Sequence, residues 1–339
     1  MRPAVLLLAA ALLPPAFAAP PAVLTEAAVQ SPRASNSAML AIARAGSRLV
    51  AAGERGTVLL SDDGGTNWRQ AHVPVQTTLT ALRFVDERTG WAVGHLGVIL
   101  KTEDAGLTWR KQLDGVQAAG LMAQALRASG DERLQRTAQR YEEEGPDKPF
   151  FDVDFSDAQH GVAVGAYNLA FATRDGGATW APLLLPNAKS LHLYAVRHAK
   201  GGLFIAGEQG LLIRSDGANH VALPSPYKGS FFGLLPTRGG ALLAFGLRGH
   251  AFRSGDAGAN WQKLDTGVAA SLNAGIELPD GTLTLLAQTG DLLTSRDGGQ
   301  SFTRRAGDGV PAAGLAATPQ GHFVLAGLRG ARGASRPTP

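Results

Sequence analysis

Ser61-Asp62-Asp63-Gly64-Gly65-Thr66-Asn67-Trp68 is the stretch from which the rest of the chain can be read. It recurs at 102–109, 173–180, 254–261 and 295–302, where a hydroxyl, an aspartate, a glycine and an aromatic residue keep their places in the pattern S/T-x-D-x-G-x-[NTS]-W/F. The copies carry Asp63 and Trp68, Asp104 and Trp109, Asp175 and Trp180, Asp256 and Trp261, and Asp297 and Phe302. A sixth copy at 214–221, aligned on Asp216, lacks the first hydroxyl, the glycine and the aromatic residue in that frame. The six aspartates are spaced 41, 71, 41, 40 and 41 residues apart. One interval therefore holds about 30 residues beyond the period, and a period of this length marks a repeat architecture.

Outward from the motif, each unit reads the same way. Residues 79–85 are rich in strand formers, 86–90 form a turn, 91–93 a second strand, Gly94-His95-Leu96-Gly97 a tight turn, and 98–101 a third strand that enters the motif. The residues after Trp109 supply a fourth. Four short antiparallel strands per unit predict an all-β chain, a seven-bladed β-propeller of four-stranded antiparallel blades. The expected domain covers 19–339. Its seventh blade is incomplete, because 322–330 repeats the second strand and its turn but the sequence ends where the next motif would fall. The segment 22–30 precedes the strand after Trp68 by about one period and is expected to close the ring as an outer strand, leaving no long free edge.

The surplus residues at 115–149 interrupt the strand alternation between blades two and three. Stretches 116–128 and 131–144 are rich in Ala, Leu, Gln, Glu and Arg, with Ser129-Gly130-Asp131 as a stop and N-cap between them. This predicts a helical hairpin. Leu121, Met122, Ala125 and Leu126, then Leu134, Ala138 and Tyr141, fall at helical spacing and are expected to pack it on the propeller flank. The period closes without these residues, which makes the hairpin look dispensable for folding.

Composition agrees with short strands and tight turns: of 339 residues, 45% are hydrophobic, 18% charged, 43 glycine and 19 proline. Net charge is +4, and no basic block is long enough for a nucleic-acid arm, so nucleic acid is excluded as a partner. Residues 1–18 join a basic start, an apolar run of about ten residues and an A-x-A site ending at Ala18, a secretory signal too short to span a bilayer. With no cysteine, the chain has no disulfide, thiolate metal site, cysteine nucleophile or thiol to acylate.

The recurring pattern is the Asp-box, or bacterial neuraminidase repeat. Its aspartate accepts backbone N–H groups, its glycine takes a positive φ, and its aromatic residue tucks between strands, so Asp63, Asp104, Asp175, Asp256 and Asp297 are read as structural. One carboxylate per turn is too few ligands for calcium. No metal or cofactor is expected. Asp-boxes also occur in sialidase-like glycoside hydrolases, but no Arg-Ile-Pro is present, and only Tyr167, Tyr194 and Tyr227 lie in the propeller as nucleophile candidates. HExxH, GxSxG and P-loop patterns are likewise absent, and the eight histidines are dispersed.

The five boxes and the phrase D-x-x-x-G-W-A-V-G at 86–94, echoed at 157–165, resemble the photosystem II stability/assembly factor family over nearly the whole mature chain. The resemblance implies a non-enzymatic, soluble factor, periplasmic or lumenal in a photosynthetic host. It would act as a monomer and bind an extracytoplasmic segment of a membrane-protein complex, through which it would meet the membrane. A sialidase-like glycoside hydrolase or carbohydrate-binding propeller is the alternative.

The binding face follows from topology. Asp-boxes join strands three and four, so the turns joining strands two and three must emerge at the opposite end. Aligned, these are Glu54-Arg55, His95-Leu96, Tyr167-Asn168, Glu208-Gln209, Leu247-Arg248, Gln288-Thr289 and Leu328-Arg329. Their flanking glycines repeat while the pairs vary, as a recognition surface requires. Arg55, His95, Tyr167, Gln209, Arg248 and Arg329 are the candidate client-binding residues. Blades seven and one adjoin on closure, which would set Arg55 and Arg329 in one positive patch.

Overall fold

A computed structural model describes residues 20–217 and 219–334; the expected secretory signal lies outside the described residues. The chain forms seven antiparallel sheets in a ring. Blade one contains β1 (Met39–Ala45), β2 (Arg48–Gly53), β3 (Val58–Ser61) and β4 (Arg69–Gln70). Blade two contains β5 (Leu79–Phe84), β6 (Gly90–Gly94), β7 (Ile99–Thr102) and β8 (Arg110–Leu113). Helices α1 (Gly115–Ala128) and α2 (Glu132–Glu144) follow, then blade three with β9 (Phe150–Phe155), β10 (Gly161–Gly165), β11 (Ala170–Thr173) and β12 (Ala181–Pro182). Blade four spans β13 (Leu193–Ala199), β14 (Gly202–Gly207), β15 (Leu212–Ser215) and β16 (His220–Ala222). Blade five spans β17 (Phe231–Pro236), β18 (Leu242–Gly246), β19 (Ala251–Ser254) and β20 (Gln262–Leu264). Blade six spans β21 (Leu272–Glu277), β22 (Leu283–Ala287), β23 (Leu292–Ser295) and β24 (Thr303–Arg305). Blade seven has three strands, β25 (Ala312–Ala317), β26 (Phe323–Gly327) and β27 (Gly330–Gly333).

Each blade is a meander, and an apolar cluster fills each of the seven junctions between neighbouring blades. This explains why second strands such as β6, β10, β18 and β22 read as unbroken apolar runs. They lie inside the sheet with a blade packed on either face, and every one of their residues is buried. Ring closure is by packing: Met39, Ile42, Leu49 and Leu59 of blade one share a core with Ala316, Val324 and Ala326 of blade seven.

The segment 22–30 does not become the expected outer strand. It makes only two backbone hydrogen bonds to the stretch after β4, Ala28 N–H to Val73 O and Val23 O from Gln76 N–H. The side-chain amides of Gln30 and Gln70 supply two more, to Ala71 O and Val29 O. The buried Leu24 anchors the segment against Val73, Val75 and Leu79, so it seals the flank between blades one and two. A short turn at Ala34–Asn36 instead packs between β4 and β27.

Hydrogen bonds join the hydroxyl and aspartate of the motif in each of the five intact copies. In blade two, Thr102 Oγ1 donates to Asp104 Oδ1 (2.8 Å) and accepts from Gly106 N–H (2.9 Å). Asp104 also accepts from the Thr108 N–H and hydroxyl, while Trp109 Nε1 donates to Gly106 O (3.0 Å). The fourth unit corrects the sequence alignment by one residue. Ser215, which pairs with Leu203 as Ser61 pairs with Leu49, keeps the first hydroxyl and accepts from Gly217 N–H (3.2 Å). Asp216 accepts from Asn219 N–H in a shorter turn.

The hairpin is more deeply joined to the propeller than its sequence suggests. Asp114 caps α1 in a capping box with Gln117, and Asp131 caps α2. The buried stripe of α1 is Ala118, Ala119, Met122, Ala123 and Leu126; Leu121 is exposed, and Ala125 lies at the stripe's border. These residues, with Ala138 and Tyr141 of α2, share one core with Trp91, Phe150, Phe155, Leu169 and Trp180 of blades two and three.

Candidate binding face and central channel

All seven turns between second and third strands emerge at one end of the ring, and in each the first turn residue donates its N–H to the carbonyl just before the same blade's innermost strand. The pairs are Glu54 to Ala38, His95 to Thr78, Ala166 to Pro149, Glu208 to His192, Leu247 to Ser230, Gln288 to Ser271 and Leu328 to Pro311, at 2.7–3.4 Å. The glycine preceding that residue is required in blade one, because a Cβ on Gly53 would lie 2.0 Å from Ala38 O. Gly56, at φ +71°, is required as well: its Cβ would lie 2.0 Å from Val75 O.

Arg55, Leu96, Gln209 and Arg248, each followed by a glycine, and Tyr167, followed by Asn168, all adopt φ of 52–57°, the left-handed region. Tyr167 is thus the counterpart of Arg55, and the blade-three pair is Ala166-Tyr167, one residue earlier than the sequence alignment placed it. Arg55, His95, Tyr167, Gln209, Arg248 and Arg329 are all exposed. The side chains of Arg55, Arg248 and Arg329 make no hydrogen bond or ion pair with the described residues. Arg55 and Arg329 belong to adjoining blades, whereas Arg248 lies on blade five, away from that pair.

The innermost strands line a channel of about 540 Å³. Their free edges are satisfied across blades by side chains. Thr80 Oγ1 donates to Phe150 O (2.8 Å), Asp152 Oδ2 accepts from Val196 N–H (2.9 Å), and Asp154 Oδ2 from His198 N–H (2.7 Å). Asp152 also pairs with Arg197 (2.5 Å) and Asp154 with Arg83 (2.8 Å). Burial pushes the Asp152 carboxyl above its ordinary range despite Arg197. Burial also opposes ionisation of Asp154, but the His198 hydrogen bond and the Arg83 and Arg197 charges together hold it below that range.

Where the channel opens on the turn-bearing end, aromatic rings converge: Phe151 on His192 (6.0 Å between centroids), Phe151 on Tyr194 (5.5 Å), Tyr194 on Phe232 (5.5 Å) and Tyr167 on His192 (4.6 Å). Of these, sequence reasoning placed only Tyr167 on the binding face. The others sit at the starts of inner strands or just before them, and their only signal was an aromatic residue recurring at the second position of β9, β13 and β17.

A seven-bladed ring, five of whose blades carry an Asp-box, with a varied, exposed rim defines a repeat β-propeller. The sequence matches the family described as photosynthesis system II assembly factor YCF48 over residues 65–134 and 143–271, more than half of the chain, and the chain belongs to that family. It is 31% identical over 132 residues to the photosystem II assembly lipoprotein Ycf48 of Synechococcus sp. (strain CC9902), a match covering 36% of this chain and 38% of that relative's length. The fold is shared with a structure described as YCF48 bound to D1 peptide (TM-score 0.65, 16% identity, 91% of this chain and 95% of that one). YCF48 from Cyanidioschyzon merolae is similar too (TM-score 0.64, 12% identity, 90% and 97%). So is a streptogramin B lyase (TM-score 0.70, 11% identity, 89% and 94%), which illustrates that this fold alone does not separate binding proteins from enzymes.

Proposed function

We propose that this chain is a non-enzymatic, extracytoplasmic assembly factor that grips an extracytoplasmic segment of a membrane-protein complex with its turn-bearing rim. The observation that carries the reading is the rim itself: a backbone frame, tied in every blade by the bond from the turn to the innermost strand, presenting exposed side chains that differ from blade to blade. Family membership supplies the class of task, and the relative whose structure is described with a D1 peptide supplies the class of client. The arginines unpaired within the described chain are available for charge-assisted, bidentate contacts to carboxylates.

The test is crosslinking in intact cells followed by identification of the captured membrane proteins. Arg55→Glu with Arg329→Glu should abolish capture, because each change removes a favourable charge and adds a repulsive one. Arg69→Glu with Arg110→Glu, on the blade flanks where the arginines pair with Asp62 and Glu103, should leave capture intact. Capture should also weaken with salt, since exposed charges are screened over about 8 Å at physiological ionic strength. Capture that survives the rim reversals and fails with the flank ones would place the client on the side of the ring.

A further inference from the structure

We infer that the aromatic mouth of the channel at blades three to five, formed by Phe151, Tyr167, His192, Tyr194 and Phe232, is the anchor site for one bulky apolar side chain of an extended peptide whose flanking residues are acidic. The inference deepens the client-binding reading and rests on it, but the residues are largely new: four of the five lie outside the variable turns.

The site is built. Tyr167 is held in the left-handed region at φ 52° with the residue 56% exposed, a conformation costly for an aromatic residue unless its surroundings impose it. They do. The Tyr167 N–H donates to His192 Nδ1 (3.0 Å), so the His192 ring stands under the tyrosine with Nδ1 as acceptor. Asn168, also at positive φ, is held by Asn187 Nδ2 (3.1 Å) and donates its N–H to Leu191 O (3.2 Å). Asn187 in turn is buried, and its amide group both donates to Leu191 O and accepts from Leu191 N–H.

From Tyr167 the rings step inward through His192 and Tyr194 to Phe151 and Phe232, which line the channel. The Tyr194 hydroxyl makes no hydrogen bond to any described residue, so it can meet a peptide carbonyl. Burial, with the Glu208 charge nearby, raises its pKa above the ordinary tyrosine range.

Geometry and charge select the occupant. The rings meet at interplanar angles of 35–88°, three pairs edge against face and two tilted. Such a cluster offers a pocket for a projecting side chain. Aromatic residues beside unpaired arginine are also the composition of interface hot spots. Around the mouth, the loops of blades three to five on this end carry Lys189, Lys228 and Arg248, whose charged groups have no carboxylate partner among the described residues. Two carboxylates face them, Glu208, which accepts from His192 N–H, and Asp265, which accepts from Gly267 N–H; both keep their charge, and three cations outnumber them by one. The surplus is positive and the centre apolar, which complements an acidic segment with one aromatic or large aliphatic residue.

The experiment selects a phage-displayed library of random linear peptides on the mature protein, then measures synthetic copies of the enriched sequences by fluorescence anisotropy. Enriched peptides should carry a bulky apolar residue between acidic ones. Tyr194→Ala, Phe232→Ala and the surface change Tyr167→Ala should each weaken them by about tenfold or more, as loss of a hot spot does. Tyr167 is exposed enough that its variant tests the site without risk to the core, and a thermal melt verifies the other two. Enrichment of basic or wholly polar peptides, no enrichment, or affinities unmoved by all three variants would overturn the inference. So would an oligosaccharide retained on a glycan array and lost in Tyr194→Ala. The same variants enter the in-cell crosslinking: client capture that persists in all three removes the anchor site and leaves the rim reading standing, whereas no capture by the wild-type protein removes that reading.

Discussion

Trp109→Ala tests whether the Asp-box stabilises its blade through aromatic burial or through the turn itself. The Trp109 ring is 4% exposed, packs edge-on against Phe84 (6.3 Å, 74°) and donates to Gly106 O. Truncating a buried aromatic costs about 3–5 kcal/mol. Losing the edge-to-face pair adds about 1 kcal/mol, and Gly106 O loses its donor at about 1 kcal/mol more. The expected destabilisation is therefore about 5–7 kcal/mol. Trp68 and Trp261 make the same bond, to Gly65 O and Gly258 O at 3.1 Å, but are only partly buried. Their replacement by alanine should cost about 2 kcal/mol, in proportion to the area removed from water. Guanidinium unfolding followed by circular dichroism reads all three variants against the wild type. Equal costs at Trp109 and Trp68 would refute the burial argument and place the energy in the turn's hydrogen bonds.

Acid should unfold the protein through the same motif. Hydrogen bonds from Asn67, Thr179 and Asn260 hold Asp63, Asp175 and Asp256 down to about 2, and Ser301 holds Asp297 lower still, against 3.8 for a free aspartate. The unfolded chain binds more protons in that window, so this stabilisation is complete above about pH 5 and is lost as pH falls from about 4 towards 2. Urea midpoints measured across that range should show the slope, and Asp63→Asn with Asp256→Asn should flatten it. Replacing 116–148 by a short Gly/Ser linker should lower the melting temperature markedly, because it uncovers the core around Phe150, Leu169 and Trp180; an unchanged melt would show that hairpin to be an ornament. Gly120→Ala, with open space around the new methyl on an exposed helical position, should stabilise by up to about 1 kcal/mol. Gly56→Ala should fail to give a cooperative melt, since its Cβ would sit on Val75 O in a backbone region alanine avoids.

Much of the ring was legible in the sequence because a propeller blade is a local object. The hydroxyl, aspartate, glycine and aromatic residue of one box satisfy each other within eight residues, so their spacing reports the turn directly, and its recurrence counts the blades. The same locality explains where alignment slipped. Asp216 could be matched by identity, but only strand pairing shows that Ser215 occupies the position of Ser61. At Tyr167 the turn is set by which residue takes the positive φ, a property a row of letters does not display.

What the sequence determined by itself is therefore the period, the blade and the end of the ring at which variable turns must emerge. What only the tertiary structure decided lies between blades and on the axis. Residues 22–30 pack on a flank because Leu24 finds a buried site there, and the hairpin joins the core because blade three offers it Phe150 and Trp180. Phe151, Tyr194 and Phe232 meet at the channel mouth although tens of residues separate them in the chain. Period and pattern specify what each strand pairs with; convergence on the axis depends on how many blades close the ring and how tightly they pack, and that is a property of the whole molecule.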